Sequence, residues 1–451
     1  MTKVQISLDV MIQSLLESKK YATLRDMLVT MNPADIAGVF LELPSASLPL
    51  LFRLLPKELA ADTFVEMDED CQELLITGFS DRELKEVLDE LYVDDAVDLI
   101  EEMPASVVKR ILRQAAPEMR QMINEILKYP EDSAGSIMTT EYVNLRPQMT
   151  VSEALQRIRR TGVDKETIYT CYVTTPDRKL CGIVTAKALL LSDSDALISD
   201  IMEENIISVQ TSAHQEEVAL MFNKYGFLAM PVVDQEQRLV GIVTVDDAID
   251  VIQEETTEDM EIMAAITPSE RPYLRTGVFS TFKQRIPWLL LLMVSATFTG
   301  MIISSFEEAL AAQVVLTAFI PMLMDTGGNS GSQASVTIVR GLSLNEIQFK
   351  DVFRVVWKEF RVGLLCGLVL SAANFVKLLL LDRVAITVAA VVCSTLFVTV
   401  LLAKLVGCSL PMLAKKVGFD PAVMASPFIT TIVDALSLML YFQIASMLLG
   451  I

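Results

Sequence analysis

Histidine is almost absent from this 451-residue chain, with His214 as its only occurrence. A metal centre built from several imidazoles is therefore excluded. Cysteine is sparse as well. Cys71, Cys171, Cys181, Cys366, Cys393 and Cys408 form no C-x-x-C pair, and three of them lie in apolar stretches. They read as small core residues in a reducing compartment, not as a zinc or disulfide framework. No P-loop, no H-E-x-x-H helix and no nucleophile–base pairing is present, so no enzymatic chemistry is expected. Basic residues are in short supply: 37 Lys+Arg stand against 58 Asp+Glu, a net charge of −21. Nucleic-acid binding rests on Lys and Arg neutralising phosphates, so nucleic acid is not an expected partner. The opening segment MTKVQISLDVMIQSLLESKK has no long apolar run and does not read as a signal peptide. The soluble part is expected to stay in the cytoplasm.

The charge that is present is unevenly placed. Residues 1–270 carry 23 basic and 49 acidic side chains, and the remainder carries 14 and 9. Hydrophobic residues make up 52% of the chain, with a mean hydropathy of +0.44. An acidic soluble part joined to a basic membrane part follows from these numbers. Divalent cations are natural counterions for such an acidic surface, although acidic surfaces also serve solubility alone.

Residues 1–130 read as one helix after another, with apolar residues at spacings of three and four, as in Leu84, Val87, Leu88 and Leu91. A loose repeat runs through NPADIAGVFLELP, LPKELAADTFVEM and YVDDAVDLIEEMP. Acidic residues suit the positive end of a helix and proline ends one. Short helices that cannot bury a face alone are expected to stack into an all-α superhelix. From 131 to 252 the pattern becomes α/β. The strands YTCYVTT, LCGIVT, AMPVVD and LVGIVT alternate with the helices VSEALQRIRRTG and QEEVALMFNKYG. This part is duplicated: IMTTEYVNL is echoed by IMEENIISV, and CGIVTAKAL by VGIVTVDDA. The order of strand, turn and helix resembles a tandem pair of CBS domains. A charged connector follows over 253–276, expected to be helical and interrupted near Pro268.

From 277 onward the chain is membrane-like. Ile286–Ile303 and Val384–Ala403 carry no charge; Ala309–Val339, Val362–Leu381 and Pro421–Ile451 carry one each, Asp325, Lys377 and Asp434. A spanning helix needs about 20 apolar residues, so a five-span α-helical membrane domain is expected. Arg271, Arg275, Lys283 and Arg285 precede the first span. Arg340, Lys350, Arg354, Lys358 and Arg361 lie between the second and third, and Lys404, Lys415 and Lys416 between the fourth and fifth. The opposite loops hold only Glu307, Glu308, Asp382 and Arg383. The bias of basic residues places the N-terminal domains in the cytoplasm and the C-terminus outside, in a multi-pass protein of the inner membrane.

Two spans carry polar side chains that a lipid anchor does not need. Asp434 lies in TTIVDALSLMLYF, where Thr430, Asp434 and Ser437 share a helical face. A carboxylate at membrane depth faces water, a partner or an ion, because hydrocarbon does not solvate it. The second span contains PMLMDTGGNSGSQASVTIVRG, with Gly327, Gly328 and Gly331 among Asp325, Thr326, Asn329, Ser330, Ser332 and Gln333. Small residues let helices approach closely, and polar ones line water. Asp434, Thr430, Asn329 and Ser426 offer only oxygen and amide groups, which suit a hard cation such as Mg2+ that keeps much of its hydration shell. In the soluble part, Asp246, Asp247, Asp250, Glu254, Glu255, Glu258, Asp259 and Glu261 fall within one short stretch, and Asp94, Asp95 and Asp98 form a second cluster. Like charges at helical spacing repel unless cations intervene.

Taken in order, the acidic helical repeat, the CBS pair, the charged connector, TGGN–G–Q in the second span and TT–VD in the fifth resemble the MgtE family over essentially the whole chain. That resemblance implies a homodimer in membrane lipid with a shared pore. It implies that Asp434 of each subunit holds a hydrated Mg2+, and that the connector is a plug helix closing the pore when the cytosolic domains bind Mg2+. It also implies metal bridging between Asp94, Asp95 and Asp98 and the end of the second CBS copy. CBS domains hold a nucleotide ribose through an Asp three residues after a strand-end Thr or Ser. The second copy keeps this as Thr244 and Asp247, whereas in the first Thr185 is followed by Ala188. Asp247 is also claimed by the metal reading, so the sequence does not point to ATP at the CBS pair. The alternatives are transport of Co2+ or Mn2+, and a membrane-anchored CBS sensor that transports nothing.

Overall fold

The computed structural model describes the backbone of all residues except 1, 270–272, 275, 308–310, 312, 425, 450 and 451. The expected positions of Arg271, Arg275 and Glu308 lie outside the described residues. The chain divides into two compact units, Met1–Ile252 and Gln253–Ile451.

In the first unit, ten α-helices lie between Thr2 and Ile126 among the described residues. The three repeat segments become the helices Pro33–Glu42, Lys57–Val65 and Val93–Glu102. Local chemistry sets their ends. Asn32 caps the first through the Ala34 amide, with Pro33 in the first turn. Ser80 and Glu83 close a reciprocal capping box at the helix Asp81–Leu88. The helices share a core of Ile36, Phe40, Leu51, Phe64, Leu75 and Ile100, which continues into the CBS region through Met138, Val232 and Val243.

The duplicated region folds twice in the same way. Strand β1 (Tyr142–Leu145) runs parallel to β2 (Thr167–Thr174), which pairs antiparallel with β3 (Leu180–Thr185). Strand β4 (Val209–Gln210) is parallel to β5 (Ala229–Val233), which is antiparallel to β6 (Leu239–Thr244). The copies meet across their third strands: the Leu180 amide donates to Gln237 O at 3.1 Å and the Leu239 amide to Arg178 O at 2.9 Å. Tyr172 is fully buried among Ala229, Leu239 and Ile242 at this junction.

The connector is a single helix, Val245–Met263, that continues directly from β6. It ends at Met263, five residues before Pro268. Ala265, at φ +55°, turns the chain out of the helix, so the proline is not what stops it.

Among the described residues of the second unit, four helices are long and apolar enough to cross a membrane: Val278–Ser305, Phe349–Leu380, Ile386–Val417 and Pro421–Leu449, the second and last counted with their leading 3-10 turns. The remaining expected span departs from its reading. It enters through a 3-10 turn, Val314–Phe319, and becomes an α-helix only over Ile320–Ser343. Its polar residues keep it out of the apolar set, although 24 residues at 1.5 Å each reach about 36 Å. It packs against the helices Ile386–Val417 and Ser426–Leu449, and we refer to it as the glycine-rich helix. The Ile386–Val417 helix is also longer than the uncharged run that announced it. It passes through Lys404 without interruption and stops at Gly418, whose φ of +88° suits glycine. Lys404 is therefore not a loop residue: it is only 5% exposed inside the bundle.

Glycine governs the contact between these two helices. A Cβ on Gly407 would clash with the carbonyl of Gly331, and one on Gly331 would lie 2.7 Å from Ile429 Cγ2. Gly407→Val is expected to destabilise this unit by about 1–3 kcal/mol through overpacking. The measure is the thermal unfolding temperature in detergent micelles, and an unchanged temperature would show that the helices are free to part there.

Candidate metal centres

The membrane unit brings the predicted pore residues onto facing helices. Gly327, Gly328 and Gly331 allow the glycine-rich helix to lie against Ser426–Leu449. A Cβ at Gly328 would come within 2.9 Å of Thr430 Cγ2, and one at Gly327 within 3.0 Å of Val433 Cγ1. Asp434 is partly buried next to that contact, and its charge interacts with Asp325 across the two helices. Asn329 is exposed and donates to Asp325 Oδ1 at 3.1 Å. The Thr430 hydroxyl donates to Pro427 O at 2.9 Å within its own helix. Ser437 is 1% exposed, donates to Val433 O at 2.6 Å and lies against Gly327, as Thr430 lies against Gly328. The side chain of Ser426 lies outside the described residues. Asp325, one of the polar side chains of this span, stands four residues before Asn329, which puts both on one face.

In the first unit, Asp94, Asp95 and Asp98 occupy the helix Val93–Glu102, and Asp246 and Asp247 the first turn of Val245–Met263. The structure draws these groups together and adds two carboxylates that the sequence did not single out. Glu141, just before β1, accepts from the Val93 amide at 3.1 Å and so caps the Asp94 helix from a distant part of the chain. Glu166, just before β2, interacts with Asp95, Asp246 and Asp247. Neither position carries a motif, and only the tertiary fold makes them neighbours.

The electrostatics are those of several carboxyl groups confined together out of water. Burial first, and then the charge of Asp247, pushes Asp95 up to about 7 and Asp98 up to about 8. Burial followed by Asp95 pushes Glu166 up to about 8. Asp94 moves strongly in the same direction, from burial and from Asp247. Asp247 is raised by burial although Thr244 donates to it through both its hydroxyl and its amide. In the first CBS copy Thr185 instead accepts from the Ala188 amide at 3.1 Å. Asp250 is raised by burial and by Asp246.

Oxygen-only donors suit a hard cation. Asp94 Oδ1 and Glu166 Oε2 are buried and have no hydrogen-bond partner among the described residues. Among the described residues no three such side chains converge tightly enough to form a ready metal cage.

Glu254, Glu255, Glu258 and Asp259 continue along the connector helix into the second unit. There Asp259 accepts from the Ser343 hydroxyl at 3.1 Å, at the end of the glycine-rich helix. Burial is the main cause that raises Asp259, with Asp420 and Glu255 adding to it and Arg340 opposing.

With this geometry in place, the chain can be set beside known proteins. Residues 31–132 match the family model described as the MgtE intracellular N domain, 134–194 and 198–254 each match the CBS domain, and 320–444 match MgtE, described as a divalent cation transporter. The chain is 35% identical over 452 aligned residues to the magnesium transporter MgtE of Thermus thermophilus, covering 98% of each. It is 32% identical to the Bacillus subtilis magnesium transporter MgtE, over 96% of this chain and 95% of that one. Among solved structures it resembles the cytosolic domain of the Mg2+ channel MgtE in complex with ATP, at 35% identity and a TM-score of 0.52, covering 54% of this chain and 99% of that one. The acidic helical domain, the CBS pair and the glycine-rich membrane helices, matched in order along nearly the full length, show that this chain belongs to the MgtE family.

Proposed function

We propose that this protein carries Mg2+ across the inner membrane as a homodimeric channel, and that cytosolic Mg2+ closes it. The single observation that carries the reading is Asp434, a carboxylate on a membrane helix, seated beside the glycine contacts and within electrostatic reach of Asp325. One carboxylate per chain is too little charge to hold a divalent ion, so two copies of Asp434 face a shared path. Asn329, Thr430 and Ser426 supply neutral oxygens and amides to the hydration shell. On this reading the glycine-rich helix is the second of five spans. Its polar side meets the path and not lipid, which accounts for its low hydropathy. The exposed Leu289, Leu290, Leu291, Met293 and Val294 of Val278–Ser305 face lipid. The C-terminus is outside.

In the regulatory half, Mg2+ with its waters neutralises Asp94, Asp95, Asp98, Glu166, Asp246, Asp247 and Asp250, and the connector Glu254, Glu255, Glu258 and Asp259. A ligand shifts a two-state equilibrium only by its differential affinity; here the compact, closed state gains the ion and the open state does not. The domain boundaries follow the composition: helical to about 130, CBS to 252, connector to 276 and pore beyond. Thr244 engages Asp247 and the metal cluster uses the same carboxylate, so ATP at the CBS pair is not part of this reading. The test is flux of Mg2+, Co2+ and Mn2+ into liposomes holding the purified protein, with and without millimolar Mg2+ on the side of the soluble domains. Mg2+ uptake that falls as this Mg2+ rises is expected. Vesicles that pass no divalent ion would leave a CBS sensor without transport.

A further inference from the structure

Lys404 stands out in the second unit. It is a lysine inside the helix Ile386–Val417, 5% exposed, and its Nζ donates to Gln333 Oε1 of the glycine-rich helix at 3.2 Å. Among the described residues no carboxylate pairs with this ammonium. Its stem packs on the neighbouring helix, where a Cβ on Gly363 would lie 3.6 Å from Lys404 Cβ. Gln333 itself is exposed and follows Asn329 and Asp325, also exposed, at successive spacings of four. Residues so spaced lie on one helical face, and Gln333 sits about 6 Å beyond Asn329 towards the Arg340 end. The neighbouring contacts place Lys404 close to the carboxylate level as well. The Cβ position of Gly331 lies 3.3 Å from Ala403 O and 3.4 Å from Val433 Cγ2. Lys404 and Asp434 are thus each one residue away from atoms that meet at a single glycine.

A buried, unpaired positive charge beside a cation path is costly to keep. Its placement gives it an effect on any cation at Asp434. We propose that Lys404 is a positioning residue of the ion path, which fixes the Gln333 amide and sets the inner limit of the cation site. The ammonium occupies the Gln333 oxygen, so that oxygen is withdrawn from the ion's hydration shell. Its charge repels a divalent ion moving past Asn329. The ion therefore rests at Asp434 and Asn329 and is held weakly enough to leave, a requirement of any conducting site.

The inference rests on the transport reading above, and its test separates the two. Mg2+ flux is measured against Mg2+ concentration in liposomes holding wild type, Lys404→Met and Lys404→Arg. Methionine keeps length and volume but removes the charge and the donor. Lys404→Met is expected to lower the half-saturating Mg2+ concentration by about tenfold, the scale of one charge repelling a divalent ion across a partly hydrated path. It is also expected to lower the maximal flux, because the ion is released more slowly. Lys404→Arg is expected to retain wild-type half-saturation. Wild-type flux together with unchanged half-saturation in Lys404→Met would overturn the assignment alone. Wild-type vesicles that pass no Mg2+ would overturn the transport reading and this proposal with it. If Lys404→Met does not fold, Lys404→Gln, also uncharged, carries the same expectation. Should both neutral variants fail to fold while Lys404→Arg folds, the lysine is structural and the proposal is wrong.

Discussion

Asp434→Asn is expected to reduce Mg2+ flux by at least a hundredfold, with the protein still folded and dimeric. The substitution keeps shape and hydrogen-bonding capacity and removes one charge per chain, hence two from the path shared in the proposed dimer. A charge-assisted hydrogen bond contributes about 1.5–3 kcal/mol. Losing two such contacts to a hydrated ion costs roughly 3–6 kcal/mol, which is on the order of 10²–10⁴ in occupancy. Asp325 lies on the glycine-rich helix and interacts with Asp434; Asp325→Asn is expected to give a smaller loss, because Asn329 already engages it. Liposome flux, with circular dichroism and mass measurement on the same preparations, decides the matter. Undiminished flux in Asp434→Asn would remove the carboxylate from the path.

The second large effect joins pH to Mg2+ at the Asp94 cluster. Asp95, Asp98 and Glu166 have ordinary values of 3.8, 3.8 and 4.5 and are pushed to about 7, about 8 and about 8 in the folded protein. Between about pH 4 and pH 8 the folded state therefore binds more protons than the unfolded one. Stability from these groups is complete below that window and is lost as pH rises through it, at about 1.4 kcal/mol per pH unit for each proton concerned. At pH 8 without divalent ions, the helix Val93–Glu102 is expected to open readily. Millimolar Mg2+ is expected to take over the role of the protons and restore its protection. Hydrogen exchange of residues 93–102 in the full chain, at pH 5 and pH 8 with and without Mg2+, measures this directly. Equal protection in all four conditions would show the cluster to be a passive acidic surface. The functional counterpart is the combined Asp98→Asn, Asp247→Asn and Glu166→Gln variant. If metal neutralisation dominates closure, it conducts at Mg2+ concentrations that close the wild type; if relief of repulsion dominates, it closes more readily at low Mg2+.

The sequence disclosed most where chemistry is local. Capping residues and prolines bounded the short helices, alternation and duplication gave both CBS sheets, and one charge in an apolar run marked Asp434. It disclosed less where tertiary contacts decide. Lys404 reads as the first basic residue after a span because charge patterning treats a lysine as a boundary. The helix runs through it because Gln333, on another helix, provides a partner. Glu141 and Glu166 stand before strands with no motif around them, and only the packing of the Val93–Glu102 helix brings them to Asp94 and Asp95. Thr430 and Ser437 share a spacing with Asp434, and the hydroxyls of both fold back onto their own helix. Periodicity gives a residue's angular position and not the reach of its side chain.

The uninterrupted helix Val245–Met263 has a mechanical consequence. It contains neither glycine nor proline and spans 19 residues, so it behaves as a stiff rod about 28 Å long. Asp247, near one end, is held by Thr244, while Asp259, near the other, is held by Ser343. The two are separated by about 18 Å along the axis and about 120° around it. Phase matters in such a helix as much as length: one additional residue between Thr256 and Thr257 would turn every side chain beyond it by about 100°.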